Sequence, residues 1–352
     1  MNIALFDASK YWSGGAQRVY LCCKGFKEKG HNVILICFAT NRLNVLLKNH
    51  IKIFNIRPVF DLDILAAIKI LFILIKYKID IIDIHSPKFY WIGLITGKIL
   101  KKKVFITRNV EYRKKGIKKI INRFLYRNCN GVIAVSNKIK ENLIKDFNLY
   151  NDKVNLIYDG FNLKQGDFNI RKNYNISEDE IVISIIGRIE KNKAQDFAVE
   201  VAYELVKNNL KVKLLIIGKI EDHLFYKKII EKINTLKISE NVIFTGFVKN
   251  TADYIFSSDV ILCCSYYEGL PRSLVESIIL SKPVVCSSAV DINDLEEFKE
   301  IIKIVKERNP KKFAKAILEL LSYKKAKINP DILQEKFSIE SMIKKYLKFY
   351  SE

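Results

Sequence analysis

The protein has 352 residues, of which 49% are hydrophobic and 28% charged, a balance typical of folded globular chains. This composition excludes a disordered or low-complexity protein, and the length favours about two domains. The formal net charge is +22, and residues 1–165 carry 30 Lys and Arg against 11 Asp and Glu. The remaining residues are nearly neutral, at +3. The asymmetry predicts a polyanionic partner: nucleic acid, an anionic membrane surface or a phosphorylated substrate.

The cysteines indicate a reducing compartment, because there are seven of them and no C-x-x-C pair occurs. The longest apolar run, residues 64–79, is interrupted by three lysines and falls short of the ~20 apolar residues that span a bilayer. We therefore expect it to form a core-packed helix. The N-terminus lacks the basic segment and the length of a signal peptide. The sequence thus predicts a cytoplasmic protein without a membrane-spanning anchor.

Short apolar runs alternate with amphipathic stretches along most of the chain. The predicted strands are Ile3–Phe6, Asn32–Phe38, Ile51–Asn55, Ile79–His85, Val104–Thr107, Gly131–Val135, Val154–Ile157, Ile181–Gly187, Val212–Ile217, Val242–Thr245, Val260–Cys264, Pro283–Cys286 and Ile301–Val305. The predicted helices are Ala16–Lys29, Ile64–Lys78, Lys138–Phe147, 194–208, 224–236, 252–257, 271–280 and 310–322. Such alternation is typical of parallel sheets covered on both faces. The polar segment 160–178 separates two series, which predicts an α/β fold with two Rossmann-like, doubly wound domains facing a central cleft.

Ligands of open α/β sheets bind beyond the carboxyl ends of the strands, so the residues after each strand are the functional candidates. After the first strand, Ser13 precedes Gly14 and Gly15 at the start of a predicted helix. Paired glycines allow a close backbone approach to an anion, although a plain turn with Ser13 as N-cap is an equally good interpretation. The spacing matches neither G-x-G-x-x-G nor a P-loop.

Two cations follow the first strand of the second half. Arg188 and Lys193 lie in a loop between this strand and the next helix, where a guanidinium fork and an ammonium suit a diphosphate. On spacing alone, a solvated basic loop is the better interpretation.

Two carboxylates follow the strand that ends at Cys264. Glu268 precedes a Gly-Leu-Pro turn, and Glu276 falls inside the helix that begins after it. A Glu among apolar helix residues is costly without a partner, and a pair of ligand hydroxyls would be one. The helix N-terminus near 270–273 would face a phosphate.

The order and spacing of these motifs resemble the family 4 glycosyltransferases, which are retaining enzymes of GT-B architecture. The resemblance covers about 110 consecutive residues of the second half. The residues that carry it are Gly187-Arg188 with Lys193, Ile216-Ile217-Gly218, Asn241–Phe247, Ser258-Asp259-Val260, Ser265–Glu276 and Lys282–Val285. The first half matches more loosely, through Gly14-Gly15-Ala16, Asp80–His85 and Val135-Ser136 with Asn155–Asn162.

The resemblance implies three parts: an acceptor-binding domain over 1–165, a nucleotide-sugar-binding domain over 166–335 and a C-terminal helix over 336–352 that packs back on the first domain. It gives catalytic roles to Arg188 and Lys193, which would hold the diphosphate and stabilise it as it leaves. Glu268 would lie near the donor sugar. Further donor contacts would come from Glu276 at the ribose, the backbone of Gly269 and Leu270, Phe247 and Val248 at the base, and Gly14 and Gly15 at the phosphates.

The family uses no metal, and we expect no cofactor besides the donor substrate. The one D-x-D sequence, Asp61-Leu62-Asp63, directly precedes a predicted helix and is better explained as an N-cap than as a metal site.

Two departures from the family pattern bear on the donor sugar. Asn109 stands where relatives commonly carry a His that contacts the sugar. His85 at the preceding strand end is a second candidate contact, although a lone His is more often structural. Ser288-Ala289-Val290-Asp291 replaces a common Gly-Gly pair followed by Glu. These departures leave open a catalytically impaired homologue that acts as a binding or scaffold protein, which the intact cations and carboxylates disfavour.

The excess basic residues concentrate in residues 98–127, which contain twelve Lys and Arg and one acid, Glu111. Apolar residues at helical spacing predict either a basic amphipathic helix that docks on an anionic membrane or a core-facing helix with a solvated basic face. The stretch lacks the interleaved aromatics and modules of nucleic-acid-binding proteins. We expect a glycan or lipid-linked acceptor at the inner face of the cell membrane, in the synthesis of lipopolysaccharide, O-antigen or capsule.

Overall fold

A computed structural model of the protein describes residues 1–352 except 11, 40–41, 110–115, 165, 167, 269 and 323–327. The chain divides into two compact units. Unit 1 contains residues 1–162 and 331–352, and unit 2 contains residues 163–330. The first boundary lies inside the polar segment that separates the two series of predicted strands.

Each predicted strand is present, with bounds that differ by at most two residues. The strands are β1 (Asn2–Asp7), β2 (Asn32–Cys37), β3 (Lys52–Asn55), β4 (Ile81–Ile84), β5 (Lys103–Arg108), β6 (Gly131–Ala134), β7 (Val154–Leu156), β8 (Ile181–Ile186), β9 (Val212–Ile217), β10 (Val242–Gly246), β11 (Val260–Cys263), β12 (Val284–Ser287) and β13 (Ile302–Val305). The α-helices are α1 (Gly14–Glu28), α2 (Arg42–Leu47), α3 (Ile64–Lys76), α4 (Tyr90–Ile99), α5 (Ile117–Asn128), α6 (Asn137–Phe147), α7 (Ile170–Asn173), α8 (Gln195–Lys207), α9 (His223–Leu236), α10 (Thr251–Ser257), α11 (Arg272–Ile279), α12 (Pro310–Ser322), α13 (Pro330–Phe337) and α14 (Ile339–Ser351).

Within the described residues, unit 1 holds a parallel sheet in the order β3-β2-β1-β4-β5-β6-β7. Its two faces carry separate cores. One contains buried residues of α3, α4, α5 and α6, and the other contains those of α1, α2 and α14. The helices fall into two groups because the sheet grows in two directions. Strands β2 and β3 are added on one side of β1, and strands β4 to β7 on the other. Since the crossovers are right-handed, the two directions place their helices on opposite faces of the sheet.

Helix α14 belongs to unit 1 and packs on α1. Gly25 has no side chain where Ile343 lies, so that the two helices approach closely. The Phe26 ring contacts the rings of Tyr346 and Tyr350, with centroids 5.8 and 5.7 Å apart. The last helix of the described chain thus completes the core of the first unit.

Unit 2 repeats the plan with the strand order β10-β9-β8-β11-β12-β13, all parallel. The chain starts at β8, extends to β10 on one side and returns to β11 on the other. Between β8 and β11 the strand order reverses, and this is the place where such sheets bind ligands.

Helix α3 packs against the core of unit 1 as predicted, but on one side only. It begins at Ile64 as expected and ends at Lys76, two residues earlier than predicted, and only Ala66, Ile70 and Leu74 of the helix are buried. The opposite face is exposed although it is apolar, because the helix is apolar all round while the sheet covers one side only. The described residues include no helix that is both long and apolar enough to cross a membrane.

Candidate functional site

The carboxyl ends of β8 and β11 lie side by side in unit 2. Ile185 of β8 is the register partner of Leu262 of β11, so the segments that follow the two strands start as neighbours. These segments are 187–193 and 264–268, which contain three of the predicted site residues. The site therefore lies where the strand order reverses, as open α/β sheets require.

Lys193 and Glu268 form an ion pair at this position. The Lys193 Nζ and the Glu268 Oε2 are 2.5 Å apart, and the two side chains are 19% and 21% exposed. A partly buried, charge-assisted hydrogen bond of this kind is stronger than an exposed pair. The backbone of Glu268 also forms an isolated β-bridge with Val290. The segment Ser288–Asp291, which departs from the family pattern, therefore lies next to the ion pair.

Asn192 joins the two segments, and sequence reasoning missed it. Its side chain donates to the Tyr267 carbonyl at 3.0 Å and accepts from the Tyr267 N–H at 3.1 Å. The backbone carbonyl of Asn192 accepts a hydrogen bond from the Tyr266 N–H at 2.9 Å. These three bonds hold the Glu268 segment against the Lys193 segment. No spacing rule pointed to an Asn between two lysines.

A glycine contact shapes the loop after β8. Gly218 follows β9, and a Cβ there would collide with the backbone carbonyl of Gly187. A Cβ on Gly187 would in turn crowd the Lys193 side chain, with its Cε at 3.2 Å. Both positions lie at positive φ, at 150° and 157°. Only glycine fits both the conformation and the close approach.

Arg188 lies apart from this ion pair. Its guanidinium is 58% exposed and is 3.2 Å from the Glu190 carboxylate. The loop backbone at Arg188 is anchored, since the buried Gln195 donates to the Arg188 carbonyl at 2.9 Å. The structure thus brings Lys193 to Glu268, and places Arg188 on the same loop with a different partner.

Glu276 lies inside α11 and is buried, as predicted. The partner that the sequence demanded includes Thr251, whose hydroxyl donates to the Glu276 Oε2 at 3.0 Å. Arg272 lies one turn earlier, with its Nε 3.9 Å from Oε1. Thr251 begins α10, shortly after Phe247 and Val248, so the segments predicted to border the ribose and the base meet at this bond.

Helix α11 begins at Arg272, one residue later than predicted. Pro271 is the N-cap residue, and Leu270 before it is half-buried. Gly269 lies outside the described residues. At the end of β11, burial raises the pKa of the Cys263 thiol to about 12. This cysteine is therefore an apolar packing residue at neutral pH.

The predicted site residues Gly14, Gly15 and Asn109 of unit 1 also lie after the ends of strands. Gly14 and Gly15 open α1, and the Ser13 hydroxyl accepts from the Ala16 N–H at 3.3 Å, which confirms the N-cap. Asn109 follows β5, and its Nδ2 would lie 3.1 Å from a Cβ on Gly15. The predicted phosphate-binding turn and the predicted sugar contact are therefore neighbours.

His85 is buried in a polar network. Its Nε2 lies 3.0 Å from the Asp83 Oδ2, which also accepts from the Tyr350 hydroxyl at 2.6 Å. Thr107 donates to the other Asp83 oxygen at 2.9 Å. These bonds link strands β4 and β5 to α14, so His85 is part of the interior of unit 1 at the end of β4.

The D-x-D sequence caps a helix. Asp63 accepts from the Ala66 N–H at 3.0 Å and from the Val59 N–H at 2.9 Å. These backbone hydrogen bonds lower the pKa of the Asp63 carboxyl, because they favour its ionised form. The prediction of an N-cap is confirmed.

Known proteins match both halves of the chain. Residues 167–335 match the family model "Glycosyl transferases group 1", and residues 12–165 match "Glycosyltransferase Family 4". The chain therefore belongs to the family 4 glycosyltransferases, which are enzymes with two Rossmann-like domains in the GT-B fold.

Among its relatives are two bacterial glycosyltransferases. The capsular polysaccharide biosynthesis glycosyltransferase CapH of Staphylococcus aureus is 29% identical over 60% of this chain and 57% of its own length. N-acetylgalactosamine-N,N'-diacetylbacillosaminyl-diphospho-undecaprenol 4-alpha-N-acetylgalactosaminyltransferase of Campylobacter jejuni is 24% identical over 87% of both chains. The crystal structure of Anabaena Alr3699/HepE with UDP and glucose has a TM-score of 0.82 at 18% identity and full coverage of both chains, which shows the shared fold.

Proposed function

We propose that this glycosyltransferase moves a sugar, with retained configuration, from a nucleoside-diphosphate sugar to a glycan or lipid-linked acceptor in cell-surface polysaccharide synthesis. The Staphylococcus relative is named for capsule synthesis, and the Campylobacter relative for an undecaprenol-linked acceptor. The Anabaena structure contains UDP and glucose.

The observation that carries the proposal is the Lys193–Glu268 pair where the strand order of unit 2 reverses. An ammonium at this place suits the diphosphate of a donor, and a carboxylate beside it suits the hydroxyls of a sugar. Thr251 and Arg272 hold the Glu276 carboxylate on α11, from which it would accept hydrogen bonds from the ribose.

The proposed chemistry depends on stabilising the leaving group. As the bond between the sugar and the diphosphate breaks, negative charge grows on the phosphate oxygens, and fixed cations lower the barrier there. Lys193 would bear most of this role because it is held in place, and the exposed Arg188 would turn towards the donor. The departing phosphate would take the proton of the acceptor on the same face of the sugar. No metal enters this scheme.

The acceptor and the place of action follow from the charge of the first half. We propose that residues 98–127 face an anionic membrane, on whose inner face a lipid-linked acceptor would lie. In the described part of this stretch, Lys98, Lys101 and Arg127 are exposed, while residues 110–115 lie outside the description.

A thermal-shift screen with UDP-, GDP- and ADP-sugars tests the donor assignment. A ligand that binds only the folded protein raises the melting temperature, by an amount that corresponds to about 2.7 kcal/mol at a hundredfold excess over Kd. We expect one nucleotide class to stabilise the wild type, and the same compound to have little effect on Glu276→Ala.

Retention is tested by proton NMR of the anomer released when the donor is slowly hydrolysed without acceptor. The donor's own configuration is expected in the first product. Stabilisation by none of the donors would contradict the donor site, while an inverted first product would contradict only the mechanism.

A further inference from the structure

Helix α3 presents an apolar face to solvent. Leu65 and Phe72 are 73% and 70% exposed, and their neighbours on the same face are also apolar. At 100° per residue, the exposed apolar residues fall within about 100° of arc, one continuous stripe along about 20 Å of helix. They are Ile64, Leu65, Ile68, Phe72 and Ile75.

Exposed apolar residues also lie before α3 and on the helices next to it. The segment 59–62, just before the helix, exposes Val59, Phe60 and Leu62. On the same face of the sheet, α4 packs against α3 and α5 packs against α4. These two helices add the exposed residues Ile95, Ile99, Ile120, Ile121 and Phe124. So many exposed apolar side chains on three neighbouring helices and the segment before them are unusual on a soluble protein and indicate an interaction site.

The charges around this surface are mainly positive. Helices α3, α4 and α5 contain no acidic residue. Lys69 and Lys76 are exposed along one margin of the stripe, and Lys98 lies near the end of α4. In the segment before α3, Asp61 lies 3.6 Å from Lys88. A partner must therefore accept apolar side chains and supply negative charge.

We infer that the outward face of α3, with residues 59–62, inserts into the headgroup region of an anionic lipid bilayer. Apolar side chains would enter the acyl boundary while the lysines bind lipid phosphates, as in helices that lie in the membrane plane. A second copy of this chain fits less well, because a two-fold contact would bring lysines of both copies together, and residues 59–62 with α3 supply one acid, Asp61, already 3.6 Å from Lys88. This inference refines the proposed membrane location and does not depend on transfer activity.

The first test compares vesicle binding of full-length variants at physiological salt. We expect the wild type to sediment with vesicles of phosphatidylcholine and phosphatidylglycerol, and the double variant Leu65→Ser/Phe72→Ser to bind at least about tenfold more weakly. Lys69→Glu/Lys76→Glu should lose the preference for the anionic lipid. Leu224→Ser is the matched control, since Leu224 is 74% exposed on α9 of unit 2, and it should bind as the wild type does.

A second test reports insertion directly. In Phe72→Trp the indole emission should shift to shorter wavelength on adding anionic vesicles, and in Leu224→Trp it should not, after subtraction of the wild-type signal. Equal vesicle binding by the wild type and Leu65→Ser/Phe72→Ser would overturn the inference, and so would the absence of a shift in Phe72→Trp. A concentration-dependent dimer that the double variant abolishes would assign the surface to contact between copies instead. Donor-induced thermal stabilisation stays unchanged in every one of these variants, so the donor site is judged separately.

Discussion

The two units share a strand order and differ in where their charge lies. Both add strands on one side of the first strand and then on the other. Unit 1 carries a net charge of +18 and unit 2 of +4, and each has an ion pair near a strand end: Arg18 with Asp159 in unit 1, and Lys193 with Glu268 in unit 2. Unit 1 also has a buried Asp83 network and paired glycines at its strand ends. The same fold thus carries a partly buried Lys–Glu pair after β8 and β11 in unit 2 and a strongly basic chain in unit 1, and the sequences of the loops set the difference.

Replacing Lys193 tests the chemical role of unit 2 most strongly. Lys193→Ala should lower the transfer rate at least about a hundredfold, because a fixed cation at the leaving group is lost. The measurement is initial rate at saturating donor. Lys191→Ala is the matched control, since Lys191 lies on the same loop with an exposed side chain. Near-normal transfer by Lys193→Ala would remove the lysine from the mechanism.

The glycine contact behind that loop should matter for stability. Gly218→Ala places a Cβ against the Gly187 carbonyl, which a backbone cannot avoid without moving the strand end. We expect a loss of about 3 kcal/mol in the free energy of unfolding, measured by urea denaturation, together with weaker donor binding. An unchanged urea midpoint would show that the loops containing Gly187 and Gly218 can move apart without loss of stability.

In unit 1, we expect removal of a buried hydroxyl to lower the free energy of unfolding by less than Gly218→Ala does in unit 2. Tyr350→Phe removes a hydroxyl that donates to the buried Asp83 carboxylate at 2.6 Å. Two further donors remain, so the expected loss is about 1–2 kcal/mol in urea denaturation, with no effect on donor binding. Tyr150→Phe, at an exposed ring, serves as the control and should be neutral. A change in donor binding by Tyr350→Phe would contradict the separation of roles between the units.

We expect the smallest difference between the two units in the reactivity of their thiols, which should be equally low in both. All seven cysteines are buried, and burial raises the pKa of Cys37, Cys129 and Cys263 to about 12. At pH 8 the native protein should therefore react with almost no iodoacetamide, and the urea-unfolded protein with seven equivalents. Rapid labelling of one native thiol, located by mass spectrometry, would reveal local opening in its unit.

The fold and the residue types of the candidate site were predictable from local signals in the sequence. These signals are the spacing of apolar residues within each strand or helix and the position of polar residues directly after a strand. The pairing of Lys193 with Glu268 was not, since the residues are 75 apart in sequence and only strand order makes them neighbours. The three hydrogen bonds of Asn192 and the one that Thr251 donates to Glu276 leave no pattern in the sequence. The exposed face of α3 escaped prediction for another reason: a helix that is apolar all round does not reveal which side the sheet covers.

The return of α14 to unit 1 has a consequence for synthesis. The aromatic rings of Tyr346 and Tyr350, which complete the core around Phe26, leave the ribosome after all of unit 2. Unit 2 is contiguous and has every strand of its sheet before α14 is made. The unit that starts first is thus finished last, and until then a nascent chain exposes the apolar side of α1 to chaperones or to premature association.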